Sequence, residues 1–193
     1  MKELIRIFRG LEIERHIEEL GGFRIEIFRE YPYLYEGEME YERRYLAGYL
    51  RTPQSILAVI HDEKGMKGAC TGIPLSFEDD EIKKPFDGEN IDEIFYIGEL
   101  MVRTDARGKG YGAALLTANL QRIDAAGFGK VCLYTVDRGE THPLRPQGYR
   151  PPDCLWQKLG FEKDKNRMAY FRWKDLGQES ETEKPMNVWV KKN

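Results

Sequence analysis

Residues 103–116 read RTDARGKGYGAALL, and the fold turns on this stretch. It follows an apolar run, FYIGELMV at 95–102. It opens a segment that carries Leu115, Leu116, Leu120 and Ile123 on one helical stripe. A strand, a tight turn and an amphipathic helix are therefore contiguous. Gly108, Gly110 and Gly112 alternate with Lys109 and Tyr111, and Arg107 precedes them. Glycine permits left-handed backbone and close approach of a ligand to the main chain. The first turn of a helix leaves N–H groups without partners and attracts anions. The stretch predicts a phosphate or pyrophosphate site. A P-loop is excluded, because Lys109 is followed by Gly110 rather than Ser or Thr. The spacing GxGxG also differs from the GxGxxG of dinucleotide-binding loops.

Outward from this stretch, a helix is expected over 110–126, stopped by Gly127. The run KVCLYTV at 130–136 is apolar enough for a central parallel strand, which places the helix in a βαβ crossover. Upstream, 3–8 alternates as a first strand. Residues 12–29 and 38–49 carry helical spacing, with Gly21-Gly22 weakening the first and Tyr41, Tyr45 and Tyr49 along the second. Residues 55–61 and 66–74 read as a hairpin. An acidic loop, 77–91, follows, and its charged run at 78–81 reads as solvated. The segment 95–102 reads as one central strand. Downstream comes a four-proline insert at 137–152, DRGETHPLRPQGYRPP, stiffened by its prolines. A short helix at 153–159 follows, which Asp153 can cap. A last antiparallel pair is expected at 168–173 and 186–190, joined by the polar stretch 177–184.

The chain of 193 residues suits one domain over 1–193. Apolar residues at 41% and aromatics at 12% suffice for a core. Lysine plus arginine number 30 against 33 acids, mixed along the chain, which argues against a nucleic-acid partner. Three cysteines, Cys70, Cys132 and Cys154, point to reduced thiols and a cytoplasmic setting. No spacing of Cys and His suggests a metal. The N-terminus lacks a signal-peptide core, and no run reaches the ~18 apolar residues of a membrane span, so no membrane partner is expected.

The segment from Arg107 to Gly112 resembles the Arg/Gln-x-x-Gly-x-Gly/Ala signature of the GCN5-related N-acetyltransferases, the GNAT superfamily. LWQKLGF at 155–161 is similar to the family's "LYEKLGF" segment. The likeness covers roughly residues 55–175. It implies an α/β (α+β) fold: a mixed, mainly antiparallel sheet with a parallel splayed pair and helices on both faces. The element order β-α-α-β-β-β-α-β-α-β-β agrees with it. It also implies an enzyme, an acetyl-CoA-dependent N-acetyltransferase acting directly on the primary amine of a small molecule or a terminal amine. No covalent enzyme intermediate is expected, since no cysteine sits beside a histidine. The other classes are a non-catalytic acyl-CoA sensor and an interaction module. A homodimer is compatible with the terminal strands.

The resemblance implies that Arg107, Gly108, Lys109, Gly110, Tyr111, Gly112 and Ala113 take the pyrophosphate of acetyl-CoA, while the backbone of Leu100, Met101 and Val102 pairs with its pantetheine arm. Glu99 is the only charged residue between 94 and 102. Among apolar neighbours its basicity would rise, as suits a general base; a structural glutamate is the other reading. The family tyrosine that protonates the leaving thiolate is Trp156 here, and an indole gives up no proton usefully. Tyr134 on the neighbouring strand is the substitute candidate, with a core tyrosine as the other reading. Tyr33 and Tyr35, in an aromatic segment at 31–35, and His142, Arg145 and Arg150 of the insert are candidate acceptor contacts. Arginine forks would favour an acidic substrate; Glu36, Glu38 and Glu40 would favour a cationic one.

Overall fold

Successive side chains of a strand point to opposite faces, and this sorts the apolar residues into two cores. The computed structural model describes residues 4–193; residue 3, where the first strand was expected to begin, lies outside them. On strand β2 (Ile56–Asp62), Leu57 and Val59 enter one core and Ile56, Ala58 and Ile60 the other. The first core takes Leu20, Phe23 and Ile27 of α1 (Ile17–Phe28) and Leu46 of α2 (Met39–Leu46). The second takes Leu115, Leu116, Leu120 and Ile123 of α4 (Tyr111–Ala125) and Trp156 of α5 (Asp153–Lys158). Helices thus cover both faces. Each fully buried leucine or isoleucine contributes about 1.5–3 kcal/mol.

The remaining elements are β1 (Arg6–Arg9), β3 (Gly65–Pro74), a one-turn α3 (Asp80–Lys83), β4 (Ile94–Ile97), β5 (Leu100–Val102), β6 (Lys130–Val136), β7 (Glu162–Lys174) and β8 (Glu181–Lys192). The eight strands run in the order β1-β2-β3-β4-β6-β8-β7, with β5 paired to β3. All pairs are antiparallel except β4 with β6, which α4 links. The α/β fold expected from the sequence, mainly antiparallel with one parallel pair, is what the chain adopts.

Three elements differ from the sequence reading. The first helix begins as a 3-10 segment, Gly10–His16. Gly21 does not break it; a Cβ there would come within 3.1 Å of Glu42 Cβ, so the missing side chain lets α1 and α2 approach. Strands β7 and β8 extend well beyond 168–173 and 186–190 and pair through polar residues. The central strand is broken: β4 ends at Ile97 and β5 begins at Leu100.

That break has a local cause. A Cβ on Gly98 would overlap Tyr49 Oη, so only glycine fits. The Glu99 amide then donates to Thr71 Oγ1 at 3.1 Å instead of joining a ladder. Parallel pairing stops at Ile97 with Leu133, and β6 continues against β8 alone. The two central strands splay from this point.

Two glycines separate packing from propensity. Gly98→Ala is expected to destabilise the fold by about 1–3 kcal/mol through overpacking. Gly22→Ala, with nothing within 4 Å of its Cβ, is expected to stabilise by roughly 0.5–1 kcal/mol. Denaturant midpoints measure both.

Candidate active site

The break at Gly98-Glu99 is held by a buried ionic cluster that the sequence did not reveal. Arg24 of α1 lies between two carboxylates, donating from Nε to Glu42 at 2.5 Å and from Nη1 to Glu99 Oε1. Glu42 is 0% exposed, Glu99 3% and Arg24 8%. Burial works against the guanidinium's charge, but Glu99 and Glu42 outweigh it and push its pKa up. Glu99 Oε1 also accepts from Tyr45 at 2.8 Å, and Oε2 accepts from Tyr49 at 3.2 Å and from Thr71 Oγ1. Tyr35 donates to the far oxygen of Glu42 at 2.8 Å. The apolar surroundings expected for Glu99 are therefore not what the fold gives it. Tyr45 of α2 and Tyr49 of the 3-10 segment that follows it, Ala47–Arg51, reach across to meet Glu99. All four acceptor positions of its carboxylate are engaged.

The glycine loop lies beyond β5. Gly108 and Gly110 have φ of +75° and +84°, and a Cβ on either would meet nothing within 4 Å, so the loop presents bare backbone. Gly110 caps α4, a helix of 15 residues whose first N–H groups need an outside acceptor. Gly112 differs: its φ is not positive, and a Cβ would make ordinary 3.7 Å contacts with Leu100, Val102 and Leu155. Arg107 is braced, donating from Nε to Val102 O at 3.0 Å and pairing with Glu30 at 2.7 Å. Lys109 is exposed and donates to Asp105 O at 3.0 Å.

Three cavities lie along this part of the sheet, and two of them border the break. One of about 520 Å³ runs along the loop and is lined by Leu100, Val102, Arg107, Tyr111, Ala113 and Trp156. Met101 points the other way, into the core, 1% exposed. A second, of about 530 Å³, continues between β5 and β6 under the insert. A third, of about 170 Å³, lies behind Gly98 and Glu99 among tyrosines, including Tyr33, Tyr35 and Tyr134. Tyr134 borders both inner cavities, but its hydroxyl donates to Ile82 O at 2.7 Å. Burial pushes its pKa up. Trp156 borders the two cleft cavities, and its buried Nε1–H has no partner among the described residues.

The insert residues scatter. Arg145 stacks on Tyr149 and borders the second cavity. Arg150 borders the glycine-loop cavity. His142 packs near Tyr31, with ring centroids 5.7 Å apart. None of the three lines the tyrosine cavity. Arg138, which sequence reasoning passed over, is the insert's anchor: it pairs with Asp175 at 2.7 Å and donates to the carbonyls of Pro32 and Tyr33. The run 78–81 is not simply solvated, because Glu78 is half-buried and its pKa is pushed up to about 7 by burial and by Glu99. Among the described residues no three His, Cys, Asp or Glu side chains gather as a metal site, and no helix is long and apolar enough to cross a membrane.

The description "Acetyltransferase (GNAT) family" matches residues 23–142. No curated protein matches the chain. Among solved structures, the chain is similar to a ribosomal-protein-alanine N-acetyltransferase from Brucella melitensis (TM-score 0.64, 15% identity, 98% of this chain and 99% of that one). It is also similar to a GCN5-related N-acetyltransferase from Kribbella flavida (0.58, 18%, 98% of each). A third is Arabidopsis thaliana NAA60 in complex with a bisubstrate analogue (0.61, 15%, 98% and 99%). At these identities the likeness concerns the fold.

The raised carboxyl of Glu78 gives a pH signature. A carboxyl whose pKa rises on folding holds its proton more tightly in the folded chain. It therefore costs stability as pH climbs from its ordinary 4.5 through about 7. Glu78→Gln is expected to raise Tm at pH 8 by about 2–4 °C for each kcal/mol regained, and to leave stability at pH 4.5 nearly unchanged. Thermal unfolding across this range measures it.

Proposed function

The chain belongs to the acetyltransferase (GNAT) family, and we propose that it is an N-acetyltransferase that passes an acetyl group from acetyl-CoA directly to a primary amine. The observation that carries this reading is the continuous cleft from the bare glycine loop, past the open edge of β5, to the break at Gly98-Glu99. Acetyl-CoA, when bound, supplies the activated acyl thioester.

The loop fits the diphosphate of that group. Gly108 and Gly110 leave room for phosphate oxygens, and the first-turn amides from Tyr111 to Ala113 supply donors at the positive end of α4. Arg150 and Lys109 add positive charge at the rim. Leu100 and Val102 face the cleft, and β5, paired to β3 on one side, offers its other edge to the extended pantetheine. Direct transfer is favoured because Cys70 and Cys132 are buried with thiols pushed up by burial, which suits neither as a nucleophile, and the exposed Cys154 lines none of the three cavities.

The amine enters from the tyrosine side, against Tyr33 and Tyr35. Four donors fill the carboxylate of Glu99, which favours a positioning role over a direct base: it fixes negative charge at the junction of the cavities. Trp156 lines the cleft and its buried Nε1–H is unpartnered among the described residues, which supports it as a donor that would stabilise the leaving sulfur while keeping the indole proton. Tyr134, with its proton directed to Ile82 O, is the reserve donor.

Calorimetry with acetyl-CoA tests the reading. Micromolar binding is expected, weakened at least about 30-fold in Gly110→Asp, where a carboxylate would meet the phosphates. No binding to the intact protein would overturn it. Binding without turnover on any amine would favour a sensor. Glu99→Gln separates positioning from base chemistry. A positioning residue predicts a higher KM for the amine with the acidic limb of the pH–rate profile kept. A base predicts a loss in kcat of about tenfold or more and disappearance of that limb.

A further inference from the structure

The tyrosine cavity behind Gly98 carries a charge pattern that the acetyl-transfer reading does not use. Its floor holds the Arg24 guanidinium against the Glu99 carboxylate, both buried, while Glu42 pairs with Arg24 outside the lining. Asp79 and Glu81 stand at its rim. Among the described residues, the one other cation that borders it is Arg172, on the exposed edge strand, with its guanidinium turned to Glu181 O at 3.4 Å. Acids thus outnumber bases three to two in the lining of a small apolar space. The walls are aromatic: Tyr33, Tyr35, Tyr41, Tyr45, Tyr134 and Trp173. Aromatic faces attract cations, and more strongly once the cation is desolvated. Cations of the protein already stand on two of these rings, Arg24 on Tyr45 and Lys184 and Arg138 on Trp173, which leaves Tyr33, Tyr35, Tyr41 and Tyr134 for a ligand. Arg138 and Lys184 are paired with Asp175, Arg145 stacks on Tyr149, and Arg150 borders the other cleft.

Resting on the acetyl-transfer reading, we propose that the acceptor is a slim amine carrying a second, non-reacting positive charge, of the diamine class, and that this second cation sits in the tyrosine cavity. The reacting nitrogen must be neutral to attack. A pocket that stabilises a cation would keep that nitrogen protonated and inert. The charge held in the cavity therefore belongs to the other end of the molecule, and the neutral amine is left at the break. The transfer balances simply. The new N–C bond replaces the thioester C–S bond, one amine proton is released to the sulfur or to water, and the distant ammonium is unchanged. A carboxylate at the same end would meet Glu99, Asp79 and Glu81, so amino acids of equal length are rejected.

The experiment compares 1,4-diaminobutane, 1-aminobutane and 4-aminobutanoate as acceptors at saturating acetyl-CoA. A diamine kcat/KM about tenfold or more above the monoamine is expected, with the amino acid slowest. N,N,N′,N′-tetramethyl-1,4-diaminobutane cannot be acetylated, and its binding, read by calorimetry, probes the cavity without turnover. Tyr41→Leu, at a half-exposed wall position, is expected to weaken that binding several-fold. The inference is overturned if acetyl-CoA binds and monoamine or amino acid is used as well as the diamine, or if the tetramethyl compound does not bind. Failure of acetyl-CoA itself to bind is a different result: it removes the acetyl-transfer reading and the acceptor assignment with it, even where the tetramethyl compound still occupies the cavity.

Discussion

One buried cation organises this molecule. Arg24 projects from α1 onto Glu42 of α2 and Glu99 at the break in the central strand, so a single guanidinium joins two helices to the sheet. Removing charges from water costs several kcal/mol each, and only good pairing offsets it. Taking Arg24 away would leave two carboxylates facing each other without a counter-ion. Glu99 cannot then slip into a regular ladder, because its side chain is held by Arg24, Tyr45, Tyr49 and Thr71 while its amide is bonded to Thr71. The splay of the sheet, and hence the cleft, is fixed by this side-chain network together with the backbone bond from the Thr71 amide to Glu99 O.

This arrangement explains what was legible in the sequence. The glycine loop could be read because its cause is local: glycines at 108 and 110, a strand before and an apolar stripe after. The two-faced sheet was legible from alternation for the same reason. The central break was not, since Gly98-Glu99 sits inside an apolar run and a period of two does not register a pause. A signal existed. Arg24 lies four residues after Leu20 and three before Ile27, on the buried stripe of α1, and Glu42 lies four before Leu46 on α2. Charges on an apolar stripe ask for partners, and each was the other's. The length of β7 and β8 was hidden because their outer pairing runs through polar residues. The positions of Arg145 and Arg150 were hidden because the insert holds no helix or strand from which direction could be inferred.

Under the proposed function, the two sides of the cleft use opposite means of recognition. On the loop side, negative charge is met by main-chain N–H groups that side chains neither block nor replace. On the tyrosine side, the buried Glu99 carboxylate, the exposed acids Asp79 and Glu81 and the ring faces set a negative field that no backbone dipole supplies. The break lies between them. A molecule with negative charge at one end finds no welcome on the tyrosine side, and a cation finds none on the loop.

Arg138 bears on how such a site can change. Its guanidinium ties the base of the insert to the carbonyls of Pro32 and Tyr33 and to Asp175, while Leu34 and Glu36 are stitched by backbone bonds to the end of β7. The wall that carries Tyr33 and Tyr35 is thus riveted at both margins. Everything past Arg138, from Gly139 to Pro152, hangs from that rivet and spans to α5. Length and composition in that span can be redrawn while the wall stays in place. Entry to the cleft and recognition within it are therefore separable properties of this chain.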